Sequence, residues 1–241
     1  MCQISEYLKT YDFSNKIRLG DKADGGYVIG ELINSYDCYI SAGVSDEESF
    51  SRDFIDKYNM NETNSYAFDG TIQSYPYHYT NKITFIKRNI GPEKNAKIAN
   101  LSYFTEKFNN IFLKMDIEGG EYPWLLFITE NELNKIQQFV IELHGINDDS
   151  WGCIYNDKLS CLQKISNTHY LIHAHGNNFS SLTENIPDVI ELTYIRKDCF
   201  DTIPELNKQP LPINDLDFPN NANIPDYDLN FPPFVNVTNL A

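Results

Sequence analysis

The sequence predicts an α/β fold: a seven-stranded, mostly parallel sheet with helices on both faces. Three observations carry that expectation. Short apolar runs alternate with stretches of helical spacing, the pattern of strand–helix repeats that build a parallel sheet. Several runs end on a small or acidic residue, as at Gly43, Asp69 and Asp116, where open α/β sheets bind ligands. The chain has 241 residues, 41% of them hydrophobic, enough to bury a sizeable core in one compact domain.

The predicted elements follow in order. Asp37 to Ala42 is an apolar run stopped by Gly43. Ser49 to Tyr58 places Phe50, Phe54 and Tyr58 four residues apart, a helical period. Ser65 to Asp69 and Lys82 to Lys87 read as the second and third strands. Ile111 to Asp116 is the fourth, followed by a helix around Tyr122 to Phe127. Gln138 to Leu143 is the fifth, with a helix over Asp157 to Ile165 after it. Tyr170 to Ala174 and Val189 to Arg196 complete the set. A first unit over residues 1–200 and a tail over 201–241 are expected, because the composition then turns to Pro, Asn and Asp. That density of proline excludes long helices and central strands. Leu216, Phe218, Tyr227, Leu229, Phe231 and Phe234 give the tail apolar anchors, so an extended tail packed on the domain is expected.

The formal net charge of -15 repels phosphate backbones and argues against nucleic acid as a partner. No apolar run approaches the roughly 18 residues of a membrane span, and the first residues lack a signal-peptide pattern. A cytoplasmic protein is the expectation. Five scattered cysteines without a CxxC pair suggest neither a disulfide framework nor a zinc site. His78, in a tyrosine-rich segment, reads as an ordinary surface histidine.

Candidate chemistry sits after the strands. Ser41 and Gly43 begin a small-residue turn that lets a ligand approach the backbone. Asp69 lies a little over 20 residues further on, placed to bond ribose hydroxyls. Only part of a GxGxxG pattern is present, which disfavours a dinucleotide, since its pyrophosphate needs that cradle. Asp116, Glu118 and Glu121 put three carboxylates in six residues at a strand end and helix start. Glu118 and Glu121 suit a helix N-terminus as simple caps. Asp116 beside a ligand crevice is costly without a partner. Glu142 and His144 end the next strand. Asp116, Glu142 and His144 could hold Mg²⁺ or Mn²⁺, or act as an acid–base cluster. His173 and His175 share a face by alternation. His175, Asn177 and Asn178 suggest the lip of an acceptor pocket.

The segment Phe112-Leu-Lys-Met-Asp-Ile-Glu-Gly-Gly-Glu-Tyr-Pro-Trp-Leu125 resembles the FkbM methyltransferase family, whose mark is Lys-hydrophobic-Asp-hydrophobic-Glu-Gly-small-Glu. Lys114, Asp116, Glu118, Gly119 and Glu121 match it position by position. Asp24-Gly-Gly-Tyr27, Asp69 and Gln138 to His144 extend the resemblance, which covers roughly Arg18 to Lys197. Ser41 departs from it where many members carry an acid, and Asp46-Glu47 stands in place of a second glycine region. The resemblance implies the class I methyltransferase, Rossmann-like sheet, whose last strand runs antiparallel. It also implies S-adenosylmethionine as cofactor, with Lys22, Ser41, Gly43, Asp69 and Asp116 around it. The implied activity is O-methylation of a small-molecule or glycan acceptor: a sugar, sugar nucleotide or surface-glycan substituent, as in polysaccharide biosynthesis. Asp116, Glu118 and His144 are the candidate catalytic residues. A methyltransferase-like binding module without activity and a nicotinamide-dependent oxidoreductase are the competing readings.

Overall fold

The computed structural model describes residues 3–33, 36–76 and 81–237; His78 and Cys2 lie outside them. The chain begins with a hairpin, β1 (Lys16–Leu19) against β2 (Tyr27–Gly30). Then come β3 (Cys38–Ala42), α1 (Ser49–Lys57), β4 (Ser65–Phe68), β5 (Thr84–Ile86) and two short strands, β6 (Asn89–Ile90) and β7 (Ile98–Ala99). After them follow α2 (Ser102–Lys107), β8 (Ile111–Met115), α3 (Glu121–Phe127), α4 (Glu130–Leu133), β9 (Ile136–His144) and α5 (Tyr155–Thr168). The last elements are β10 (His169–Gly176), the small hairpin β11 (Leu182–Thr183) and β12 (Ile186–Pro187), and β13 (Val189–Arg196).

Seven strands form one sheet in the order β10-β13-β9-β8-β3-β4-β5. Each corresponds to one of the seven predicted runs. The sheet is mixed: β13 pairs antiparallel with both β10 and β9, while the pairings from β9 across to β5 are parallel. The reversed last strand is the one the sequence resemblance implies. A one-residue alternation divides the sheet into two faces. Cys38, Ile40, Leu113, Met115 and Ile141 point into a core shared with Tyr122, Trp124 and Leu125 of α3 and with Leu159, Leu162 and Ile165 of α5. Tyr39, Phe112 and Val140 point the other way, toward Phe50 and Phe54 of α1 and Tyr27 and Ile29 of the first hairpin.

The second face differs from the expected helical layer. Among the described residues the chain has five α-helices, and on this face α1 works together with the β1–β2 hairpin. The cover is aromatic. Phe54 stacks on Tyr39 at 4.5 Å and meets Phe112 at 4.3 Å between ring centroids, the offset geometries such rings favour. The helical spacing of Phe50 and Phe54 therefore reads correctly as a buried stripe. The helices α2 and α4 were not expected, although Thr129 and Glu132 form a reciprocal capping box at the start of α4.

After residue 200 the chain is extended and runs over the domain. Leu211, Leu229, Phe234 and Val235 are buried in the larger core. Leu216, Phe218, Tyr227 and Phe231 are half-buried. The backbone is tied down as well: Asn207 N–H donates to the Thr10 carbonyl at 2.9 Å, and Asn236 N–H to that of Asn207 at 2.7 Å. No helix among the described residues is long and apolar enough to cross a membrane. Cys38, Cys153, Cys161 and Cys199 are free thiols.

Candidate active site

The carboxyl ends of β3, β4 and β8 open onto a cavity of about 690 Å³, within the range of small-molecule sites. Its floor is set by the close approach of two strand ends. Gly43 has φ +79°, and a Cβ there would lie 1.6 Å from the Asp116 carbonyl oxygen, so only glycine fits. Asp116 N–H donates to the Ala42 carbonyl at 3.0 Å, and Lys114 Nζ to the Gly43 carbonyl at 2.8 Å. Ser41, Gly43, Asp69, Lys114, Asp116 and Glu118 all line the cavity. So do Asp24, Asp46, Glu47 and Glu48, leaving Lys114 as the one cation among the described lining residues.

Asp69 is bound on both oxygens. Oδ2 accepts the N–H groups of Val44 and Ser45 at 3.0 and 2.9 Å; Oδ1 accepts the N–H and hydroxyl of Thr71 at 2.8 and 2.6 Å. Burial alone would raise its pKa, but these donors outweigh burial and pull it down to about 2. Asp69 thus fastens the turn after Gly43, which includes Ser45 in the left-handed region at φ +50°.

Asp116 Oδ2 lies 3.4 Å from the Tyr27 hydroxyl and 3.7 Å from Lys114 Nζ. Beside it, Glu118 takes a left-handed backbone (φ +55°), followed by Gly119 at +89°. That sparsely populated conformation at a non-glycine residue is the kind of strain found at functional sites. It leaves the Glu118 side chain 75% exposed, with Oε2 3.4 Å from His144 Nε2. His144 itself is buried. Its Nδ1 lies 3.2 Å from Glu121 Oε1, which also accepts the Ile117 N–H at 2.9 Å. A carboxylate only accepts, so neutral His144 carries its proton on Nδ1 and presents the Nε2 lone pair to Glu118. Burial disfavours the charged imidazolium, but Glu121 first, then Asp116 and Glu118, raise its pKa overall. Glu121 is fully buried, and its Oε2 has no partner.

Ligand atoms of Asp116, Glu118 and His144 all lie within 4.8 Å of one another. The set expected from sequence had Glu142 in place of Glu118. The structure holds Glu142 elsewhere: its carboxylate accepts the Asn177 side-chain amide at 2.6 Å. Burial first, then the charges of Asp116 and Glu191, push its pKa well above the carboxylate range, which favours a neutral acid. It is Glu121 that fixes the His144 tautomer.

Four further candidates lie outside the cavity lining. Lys22 is exposed and sits 5.1 Å over the Phe218 ring. His175 is clasped between Glu191 (Nδ1, 3.1 Å) and Asp226 (Nε2, 3.0 Å). Asn178 donates to the carbonyls of Asn221, Ile224 and Pro225 and accepts the Asn221 N–H. Asn177 holds Glu142 and accepts the Phe179 N–H at 2.9 Å. The loop after β10 thus contributes to a clamp on the tail, in which His173 also bonds Asp217 at 2.9 Å.

The family model for the methyltransferase FkbM domain matches residues 10–196. No curated protein matches the chain.

Proposed function

Because the chain belongs to the FkbM methyltransferase family, we propose that it is an S-adenosylmethionine-dependent O-methyltransferase acting on a carbohydrate hydroxyl. The observation that carries this reading is His144, oriented by Glu121 and facing Glu118 at the end of β9, next to a cavity on the ends of β3, β4 and β8. When bound, S-adenosylmethionine supplies a methyl group already activated by its sulfonium. The residues present fit such a ligand: the cavity has room for it, the Gly43 turn brings backbone close, and acidic walls suit a cation. Asp69 and Asp116 are the candidate ribose and amino-acid contacts. His144 Nε2 takes the proton of the acceptor hydroxyl as general base, while Glu118 accepts a hydrogen bond from a neighbouring hydroxyl of the same sugar and so holds the acceptor in line.

The grouping of Asp116, Glu118 and His144 supports a second route on the same site. Two carboxylates and one imidazole suit Mg²⁺ or Mn²⁺, which would polarise the acceptor oxygen and make it easier to deprotonate. Calorimetry with S-adenosylhomocysteine and with NAD tests the cofactor: saturable binding of the first and none of the second is expected. Methyl transfer in EDTA separates the two routes. Loss of activity with recovery on adding Mn²⁺ favours the ion, and full activity favours His144 acting alone.

A further inference from the structure

Residues 145–154, between β9 and α5, carry a tryptophan that the site described so far does not use. Trp151 is 42% exposed, yet its ring is held in place. Its backbone is left-handed at φ +56°. The ring lies in a notch between two glycines that are themselves left-handed: a Cβ at Gly119 would come 2.8 Å from ring atom Cε3, and one at Gly145 2.2 Å from Cδ1. The segment behind it is riveted. Lys158, fully buried, donates to the carbonyls of Gly145 and Ser150. Asp148 accepts the Ser150 N–H at 2.8 Å, and Asp149 the Tyr155 N–H at 2.7 Å. This preset ring lies tilted against His144, with centroids 4.9 Å apart and 50° between the planes, beside the exposed carboxylate of Glu118.

A lone exposed aromatic usually needs no explanation. Here the strained left-handed backbone of Trp151, two glycines that leave room for its ring and a buried lysine hold one in the open next to the candidate base, a cost folding alone does not require. A rigid aromatic face gives contact area without loss of side-chain freedom on binding. The ring and His144 lie beside the cavity, joined to it by Glu118, which is one of its lining residues. Carboxylates accept hydrogen bonds from hydroxyls, and that neighbouring cavity, with seven carboxylates against one lysine among its described lining residues, repels phosphate.

We propose that Trp151 is the acceptor platform: its ring stacks on the apolar face of a neutral pyranose and holds one hydroxyl toward His144 Nε2, so that neutral sugars are acceptors and nucleoside diphosphate sugars are not. The proposal rests on the methyltransferase reading above, and its test separates the two. Protein saturated with S-adenosylhomocysteine is titrated in a calorimeter with the methyl pyranosides of glucose, galactose, mannose and rhamnose, with UDP-glucose, and with tetramethylammonium. At least one methyl pyranoside should bind saturably. Trp151→Ala should weaken that binding about tenfold and Trp151→Phe restore part of it, with S-adenosylhomocysteine affinity equal in all three proteins. The platform is overturned if no pyranoside binds while S-adenosylhomocysteine does, or if Trp151→Ala binds the sugar as well as the parent. It is equally overturned if UDP-glucose or tetramethylammonium is the ligand whose binding needs Trp151. Failure of the parent protein to bind S-adenosylhomocysteine overturns the methyltransferase reading and the platform with it.

Discussion

Two groups of buried polar residues lie at the carboxyl edge of the same sheet, and they differ in what hydrogen-bonding capacity they leave over. In the tail clamp, both nitrogens of His175, both side-chain atoms of Asn178 and both oxygens of Asp217 are used within the protein. In the active site, Glu118 is mostly exposed, Glu121 Oε2 has no partner, and the Nε2 of His144 faces only a carboxylate. Buried polar groups are normally satisfied. His175, bonded on both nitrogens, is a structural tie; His173 keeps an unbonded Nδ1, but it is shut inside the clamp, whereas the Nε2 of His144 lies beside an exposed carboxylate and is poised to act. Residue type alone does not separate His144 from His175; the partners do.

The sharpest way to break this contrast is to remove each histidine. His144→Ala should lower methyl-transfer kcat by about 10²–10⁴, the usual contribution of a general base; it also takes a partner from fully buried Glu121, so kcat is read per folded molecule, well below the variant's melting temperature. A variant retaining parental turnover would remove His144 from the chemistry. His175→Ala should do the reverse. It leaves Glu191 and Asp226 facing one another without the cation, a loss on the order of 3–5 kcal/mol for a broken buried pair. Thermal unfolding should show a large drop, while S-adenosylhomocysteine affinity per folded molecule is kept. Loss of that affinity in still-folded protein would mean that the clamp belongs to the site.

Much of the fold was legible because its signals are local. All seven sheet strands are written as short apolar runs, and Phe50 and Phe54 mark the buried stripe of α1. Gly43, Asp116, Glu118 and His144 could be picked out because each lies at or just after a strand end. The errors came where a side chain's partner is remote in sequence. Glu121 reads as a helix cap until β9 brings His144 to it from 23 residues away. His175, Asn177 and Asn178 read as a polar lip, and two of them meet carboxylates and carbonyls supplied by the tail some 43 to 51 residues later. Trp151 matters only through the glycine notch that seats it. The first hairpin went unread because Arg18, in its first strand, is polar and its turn is held by that side chain, whose guanidinium bonds the carbonyls of Asp21 and Ala23.

Asp69 sharpens the comparison, since it faces the cavity but is saturated like a clamp residue. If its main duty is to hold the Gly43 turn, Asp69→Asn, which keeps one carbonyl acceptor, should bind S-adenosylhomocysteine better than Asp69→Ala. The alanine variant should lose about 1–3 kcal/mol of binding, the range for an unmade charged hydrogen bond. Calorimetry on both variants decides it. Equal losses would point to direct contact between the carboxylate and the ligand, and no loss in either would remove Asp69 from the cofactor site.

The smallest effect expected is in how stability depends on pH, and there the two regions should differ in sign. Burial disfavours the charged form of His175, but Glu191 and Asp226 outweigh it and raise its pKa well above 6.5. A raised folded-state pKa stabilises fully below the unfolded value, and that stabilisation is lost as pH rises through the folded value. The clamp should therefore weaken on the alkaline side. Asp69 runs the other way: its pKa falls from 3.8 to about 2, so its contribution is present above the unfolded value and is lost as pH falls through the folded one. Melting curves of the parent, His175→Ala and Asp69→Asn across about pH 2.5 to 10 separate the two. The gap between the parent and His175→Ala should narrow as pH climbs above neutrality, and the gap to Asp69→Asn should narrow only in acid. A His175 gap that stays constant to the alkaline end would mean that the imidazole is neutral between its carboxylates. One of those acids would then have to carry the proton, and the clamp would be a hydrogen-bonded tie in place of an ionic one.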